Sequence, residues 1–392
     1  MISVEDATQL VLSLAGLTDT ETVPLARAAG RYMRNAAVAL RDQPPFDASA
    51  MDGYALAQDA PEGEILAVIG EAGAGRAFEG ALGAGKALRI FTGAPLPTGA
   101  ARVVLQEDVV RSGDRITLTR AATGPTHIRP QGGDFRIGSS LAPRLLAPYD
   151  LALLAAMNVP EVIVARRPDV ALIATGDELV MPGEAPRPDQ IIGSNSFALK
   201  AMIEAAGGTA RMLPIARDTE ADLRAVLELG SDADVVVTIG GASVGDHDLV
   251  GRIAARMGMD LAFHKIAMRP GKPLMAGRIF GKPMLGLPGN PVSAIVCAHL
   301  FLLPLIRASL GLSDPLPRVR HATLGADVAA TGPRAHYMRA RLDDDGAVPR
   351  ITPFRDQDSS LLGVLADAHA LLIRPLGDGP RSAGDRVSYL PL

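Results

Sequence analysis

The sequence predicts a multidomain chain of the α/β plus β class, and three observations carry that expectation. At roughly 100–200 residues per domain, 392 residues make two to four domains. Two wholly apolar runs, DVALIA (169–174) and DVVVTI (234–239), alternate with helical stretches, the rhythm of a parallel sheet buried on both faces. Short β-like runs cut by glycine lie on either side. The 41 glycines and 30 prolines, 71 of 392 residues, exceed the average of about 12% and imply many turns.

Taken in order, residues 1–35 read as helical. Ser3 followed by Asp6 forms a capping pattern, and Val4, Ala7, Leu10, Val11 and Leu14 recur at helical spacing. Gln43-Pro44-Pro45 breaks the pattern. From about 46 to 137, the β-like runs 64–68, 87–91, 102–106 and 115–119 predict a small barrel or sandwich. A short helix is expected near 145–157. An α/β region then begins near Pro168, with strands at 169–174, 211–215, 234–239 and 283–287 and helices at 196–206 and 219–229. Asn290-Pro291 suits a helix start and opens a helix of about twenty residues. From about 317 the pattern is β again, at 336–342, 370–374 and 386–390.

Composition excludes several classes. A net charge of −4 argues against a general polyanion binder. The single cysteine, Cys297, cannot form an internal disulfide and favours a reducing compartment. The first residues carry Glu5 and Asp6 rather than the basic segment of a secretory leader. The longest apolar stretch, 292–306, is broken by His299 and Pro304, short of the roughly 20 residues that span a bilayer. A cytoplasmic protein is therefore expected. With 4% aromatics and no Trp, base stacking is weak, so neither nucleic acid nor membrane is an expected partner. The histidines lack zinc-helix spacing, and there is no nucleophile elbow, Walker loop or dinucleotide fingerprint.

Three loops carry the chemistry, because ligands of open α/β sheets bind beyond the carboxyl ends of the strands. Thr175-Gly176-Asp177-Glu178 follows the first apolar run. Gly240, Gly241, Ser243, Gly245, Asp246 and Asp248 follow the second. There, glycines let backbone N–H groups approach an anion. Pro288, Asn290, Pro291 and Ser293 form the third loop and open a helix, whose N-terminus favours negative charge. Singly, each reads equally as a tight turn; together they predict a binding crevice. Lys265, Arg269 and Lys272 add positive charge suited to phosphate or another oxyanion. Glu178, Asp218, Asp246 and Asp248 stand against them, as carboxylates beside phosphate loops commonly do when they hold Mg²⁺. Asp246 and Asp248, two apart, point oppositely if extended, so one of them is expected to reach the ion.

Further motifs tie these loops to a family. PPFDASAMDGYAL (44–56), RIFTGAPLPTGA (89–100), IRPQGGDF (128–135), ATGDEL (174–179), GGASVGDHD (240–248), MRPGKP (268–273) and GLPGNPVSA (286–294) resemble the molybdopterin molybdenumtransferases. This is the MoeA family, related to the E domain of gephyrin. Looser similarity continues through YMRARL (337–342) and QDSSLLGVLADAHAL (357–371).

The resemblance implies four parts: a helical and linker portion (1–45 and 138–167), a β-rich insertion (46–137), a molybdopterin-binding α/β domain (168–316) and a C-terminal β domain (317–392). It implies a homodimer with its cleft between the α/β domain of one subunit and the β-rich part of the other. The implied reaction is insertion of molybdenum from molybdate into adenylylated molybdopterin, with Mg²⁺-dependent hydrolysis of the adenylate and release of AMP and molybdenum cofactor. A molybdopterin adenylyltransferase and cofactor-accepting apo-enzymes are the implied protein partners.

In that scheme Gly240, Gly241, Ser243, Gly245, Asp246, Pro288, Asn290, Pro291 and Ser293 line the substrate. Lys265, Arg269 and Lys272 meet phosphate or molybdate, and Glu178, Asp218 and Asp248 hold Mg²⁺ or position the adenylate. Asp52, Thr92, Arg129 and Asp134 come from the β-rich part, and Arg339 and Ser359 from the last domain. Two departures stand out: Arg269 replaces a lysine found in some relatives, and Gly363-Val364 stands where serines are frequent. A scaffold protein, an adenylyltransferase and a tungstate-handling paralogue are the alternative readings; the β-rich part with Asp52 and Asp134 argues against the second.

Overall fold

The structure is a computed structural model that describes residues 1–241, 249–343, 346 and 348–392. By packing, the chain divides into two units, Thr22–Val164 and the remainder, Met1–Glu21 with Ala165–Leu392.

The expected long N-terminal helix is short. Only Val4–Ser13 is helical, with the Ser3 hydroxyl accepting the Asp6 N–H at 2.9 Å. Gly16 and the β-branched residues of TETVP end it; Thr20–Pro24 is a strand. That strand joins Glu161–Ala165, Tyr32–Met33 and Arg144–Leu145 in a four-stranded sheet. Met33, Leu146, Leu154 and Val164 form its core with the helix Pro148–Ala156.

The unit also holds two short two-stranded pairings and a mixed six-stranded sheet. Its order is Arg102–Leu105, Gly53–Leu56, Lys86–Ile90, Ile65–Ala72, Arg115–Leu118, Val109–Ser112. Neighbours pair antiparallel except Ile65–Ala72 with Lys86–Ile90. Alternate residues of Gly53–Leu56 serve two cores: Tyr54 and Leu56 pack with Leu66 and Ile116, and Ala55 packs with Leu88 and Val103. Both faces are covered, which explains a strand without polar alternation.

In the larger unit the α/β sheet runs Thr209–Met212, Asp169–Ala174, Val235–Ile239, Lys282–Leu287, Met275–Ile279, Asp260–His264. The expected parallel sheet is present and carries an antiparallel edge. The first four strands are parallel; Met275–Ile279 joins Lys282–Leu287 antiparallel through the tight turn at Phe280-Gly281, and Asp260–His264 pairs antiparallel with Met275–Ile279. A hairpin needs only that short connection, whereas another parallel strand would need a crossover.

The apolar segment after Asn290 forms one helical stretch of 20 residues, Pro291–Leu310, long and apolar enough to cross a membrane, yet 78% of it is buried inside the protein. It is a core helix, not an exposed span. Its middle, Ala298–Leu302, widens to a π-helix directly before Pro304. A proline cannot donate to the carbonyl four residues back, and its ring crowds that carbonyl.

The C-terminal strands close into a barrel. The order Ala335–Asp343, Arg350–Pro353, Arg320–Leu324, Arg386–Pro391, Ala370–Arg374 returns to Ala335–Asp343, so these five strands leave no open edge between first and last. Leu324, Ala340, Ile351, Leu372 and Tyr389 fill it. Met268–Arg269 adds one parallel strand beside Ala335–His336.

Candidate functional site

A cavity of about 840 Å³ lies beyond the carboxyl ends of the parallel strands. Three of the expected loops meet there. Thr175, Gly176 and Glu178 follow Asp169–Ala174, Gly240 and Gly241 follow Val235–Ile239, and Pro288–Pro291 and Ser293 follow Lys282–Leu287. Asp218 joins from the loop before the helix Glu220–Leu229.

Glycine is required where the loops touch. Gly240 and Gly241 have φ of +94° and +65°, and a Cβ on either would stand about 3.0 Å from Thr175 atoms. Gly176 has φ +141°, and the carboxylate of Glu178 fills the space its Cβ would take. Only this glycine lets Glu178 fold back over its own loop.

Residues beyond the expected set position the site. The Arg217 guanidinium donates to the carbonyls of Gly176, Asp177 and Leu179 at 3.3, 3.3 and 3.0 Å. The Asp177 carboxylate accepts the Asp218 N–H at 3.1 Å. One short network therefore holds Glu178 and Asp218 at the cavity wall. Asn195 donates its amide to the Gly289 carbonyl at 2.7 Å, and Ser194, Ser196, Arg252 and Ser360 are among the further polar residues of the lining. The adjacency of Arg217 to Asp218 and the polar run GSNS (193–196) were the available sequence signals.

The cation-bearing segment reaches this cavity only through Pro273, the neighbour of Lys272. None of Lys265, Arg269 and Lys272 is among its lining residues. Lys265 and Lys272 sit on a backbone loop closed by Lys265 N–H to Leu274 O and Ile266 N–H to Lys272 O, at 2.9 and 3.0 Å. Arg269 lines a second cavity, in the barrel. Arg339 is 1% exposed, and its guanidinium donates to the carbonyls of Leu361 at 3.0 Å, Asp358 at 2.9 Å and Asp356 at 3.4 Å. In this fold it holds the loop that carries Ser359 and Ser360. Asn290 sits at the helix N-cap, but its amide donates to the Ser359 hydroxyl at 3.0 Å, and the Val292 N–H reaches the Ser359 carbonyl at 3.2 Å. Ser359 thus meets the third loop through this pairing. Ser243, Gly245, Asp246 and Asp248 lie outside the described residues.

Two carboxylates, Glu178 and Asp218, open into the cavity. Among the described residues, no group of three or more His, Cys, Asp or Glu side chains could hold a metal. Two acids beside phosphate-type donors suit Mg²⁺, which keeps waters and takes one or two carboxylates.

The smaller unit brings its own expected residues together. Ala48–Ser49 pairs with Ile128–Arg129, Ser49 N–H bonds Ala94 O at 3.0 Å and Gly93 N–H bonds Ser49 O at 2.9 Å. Loops 44–54, 91–95 and 127–134 thereby converge on one short strand. Asp52 Oδ1 accepts both the backbone N–H and the hydroxyl of Thr92, at 2.7 and 2.8 Å. The Thr92 N–H, then its hydroxyl, hold the Asp52 carboxyl below the ordinary 3.8, with Arg89 adding attraction. Arg89 is itself fixed over Phe91 and Tyr54, 4.6 and 5.2 Å from the ring centres. Asp134 and Arg129 frame the neighbouring turn, where Asp134 N–H bonds Gln43 O and Gln131 N–H bonds Asp47 Oδ1, at 2.9 and 2.7 Å. A strand pairing thus joins what lies about eighty residues apart in sequence.

Comparison with known proteins follows the same division. Residues 2–158 match the MoeA N-terminal region (domain I and II), 171–308 a probable molybdopterin binding domain, and 321–392 the MoeA C-terminal region (domain IV). The chain is 36% identical over 389 residues to molybdopterin molybdenumtransferase 2 of Mycobacterium tuberculosis, covering 96% of each chain. It is 34% identical to a molybdopterin molybdenumtransferase of Nostoc sp., over 100% of this chain and 94% of that one. A crystal structure of a molybdopterin biosynthesis MoeA protein from Pyrococcus horikoshii aligns with TM-score 0.85 at 27% identity, covering 100% of both chains.

Proposed function

The chain belongs to the MoeA family of molybdopterin molybdenumtransferases, transferases of molybdenum cofactor biosynthesis, and from that premise we propose that it inserts molybdenum from molybdate into adenylylated molybdopterin while hydrolysing the adenylate. The observation that carries this reading is the cavity that combines Gly240, Gly241, Asn290 and Ser293 with Glu178 and Asp218. Backbone and amide donors suit phosphate oxygens; the two acids suit a cation that offsets them.

In the proposed reaction, Gly240, Gly241 and the helix start at Asn290–Ser293 bind the phosphate end of the substrate. Glu178 and Asp218 would hold Mg²⁺, with Asp248 as the third expected acid. When bound, the ion would neutralise charge on the leaving phosphate. Arg217 is a positioning residue: it fixes the carbonyls of 176, 177 and 179 so that Glu178 keeps its orientation. Asp52, held ionised by Thr92, and Asp134 would orient molybdate or water, entering from a second copy of the chain. A homodimer, a molybdopterin adenylyltransferase that delivers the substrate, apo-enzymes that accept the product and a cytoplasmic setting belong to the same reading.

The test supplies purified protein with adenylylated molybdopterin, Mg²⁺ and molybdate, and follows AMP release together with activation of an apo-molybdoenzyme. Both signals should require Mg²⁺, and Asp52→Ala should lower both while the mass in solution stays that of a dimer. AMP release without active cofactor, or a strictly monomeric active protein, would overturn the reading.

A further inference from the structure

The second cavity, about 590 Å³, lies in the barrel and is not used by the proposed reaction. Strand register builds its wall. Arg269 pairs with His336 and His336 pairs with Arg374, so arginine, histidine and arginine stand in one cross-strand row. Residues directly opposite across strands share a face, and like charges there repel. Arg334 and Arg355 add two more guanidinium groups.

Carboxylates do not balance this set. Arg374 is paired with Asp378 at 2.6 Å. Among the described residues, no carboxylate lies within 4.0 Å of the Arg269, Arg334 or Arg355 guanidinium. The one acid in the lining, Asp327, accepts the Ala383 N–H at 2.8 Å. Asp358, outside the lining, also feels Arg269, which helps to hold its carboxyl low after the Ser360 hydroxyl and N–H; three arginines without a close carboxylate against these two aspartates still leave the cavity net positive. The buried Nε2 of His336 has no partner. Burial first, and then Arg269, Arg374, Arg339 and Arg334, push this imidazole down to about 4, so it stays neutral between its cationic neighbours. Met338 and Phe354 give the same cavity an apolar wall.

We propose that the barrel cavity is a second anion site, taking a tetrahedral dianionic oxyanion group, free or as a phosphomonoester, between Arg334, Arg355 and the Arg269–His336–Arg374 row. Guanidinium groups meet such oxygens with paired, charge-assisted N–H bonds. The volume exceeds that of a bare oxyanion, and the apolar wall leaves room for the organic part of a phosphomonoester.

The test is calorimetric titration of the full-length protein with inorganic phosphate, molybdate and AMP, alongside NMR titration of the His336 imidazole. One-to-one binding is expected for at least one probe, with the His336 titration moving upward as the anion screens the arginines. The Arg334→Gln/Arg355→Gln double variant should bind about tenfold more weakly or worse, whereas Arg334→Lys/Arg355→Lys retains binding and shows that the barrel tolerates change there. Binding of AMP well above that of phosphate identifies the phosphomonoester; equal binding identifies the free oxyanion. The proposal is overturned if no probe binds below about 10 mM, the weak limit for a charged site. It is equally overturned if the double variant binds unchanged while Arg252→Gln, at the first cavity, loses binding. Because the readout is binding and not molybdenum insertion, failure here leaves the proposed reaction standing, and the reverse.

Discussion

The cavity at the α/β strand ends presents glycine backbone, Asn290, Ser293 and the carboxylates Glu178 and Asp218, whereas the barrel cavity presents Arg269, Arg334, Arg355 and Arg374. The contrast follows from architecture. Parallel strands end in loops and helix starts that expose N–H groups, so an anion can be met by backbone dipoles. Inside a closed barrel the N–H groups are spent on neighbouring strands, and only side chains remain to meet a ligand. Glycine is therefore the informative residue in the first cavity, and arginine register in the second.

The largest expected effect tests that division directly. Asp218→Asn or Glu178→Gln should slow molybdenum insertion by about a hundredfold or more, the scale of lost charge stabilisation at a phosphate. Arg355→Gln should slow it by less than about threefold, on the premise that its charge serves another ligand. Equal losses in the variants of the two cavities would erase the distinction between them.

Next comes pH. The His336 imidazole titrates near 6.5 when unfolded and near 4 when folded. The unfolded chain therefore takes up a proton first as pH falls. Stability is complete above 6.5 and is lost progressively down to about 4, by up to about 3 kcal/mol. Urea unfolding at neutral and acid pH should show a shallower acid loss in His336→Gln. His299, whose imidazole burial also pushes down, accounts for a residual slope. An unchanged slope would show that burial and the neighbouring arginines together do not depress the His336 imidazole.

Gly176→Ala should follow, at about 1–3 kcal/mol of stability, since the residue holds a left-handed conformation with Glu178 in the Cβ position. Urea unfolding measures that cost, and a parallel fall in insertion rate would show that Glu178 has moved. A fully stable, fully active variant would remove the glycine argument from the first cavity. Smallest is the salt effect. Raising NaCl from about 50 to 500 mM should weaken phosphate binding in the barrel by roughly tenfold and the substrate KM at the first cavity by less than about threefold, because exposed charge is screened more than fixed dipoles.

Much of the first cavity was legible in the chain. The runs DVALIA and DVVVTI placed two strands, and the loops after them supplied Gly176, Glu178, Gly240 and Gly241. Asp52 and Thr92 were both singled out, and they bond. Arg217 was missed because its task is to hold carbonyls, which no motif spells. The surroundings of Arg339 and Arg269 are hidden for the converse reason: a cation's sign is readable, but its neighbours depend on pairing across distant strands.

Local chemistry was settled by residue order alone. Apolar runs name buried strands, and glycine or Asn-Pro names turns and helix starts, because propensity acts over a few residues. What only the tertiary structure decided was register. The pairing of Arg269, His336 and Arg374, and the meeting of Asp52 with Thr92, depend on hydrogen-bonded strand alignment between segments about 40 to 70 residues apart, and no short-range rule carries that distance.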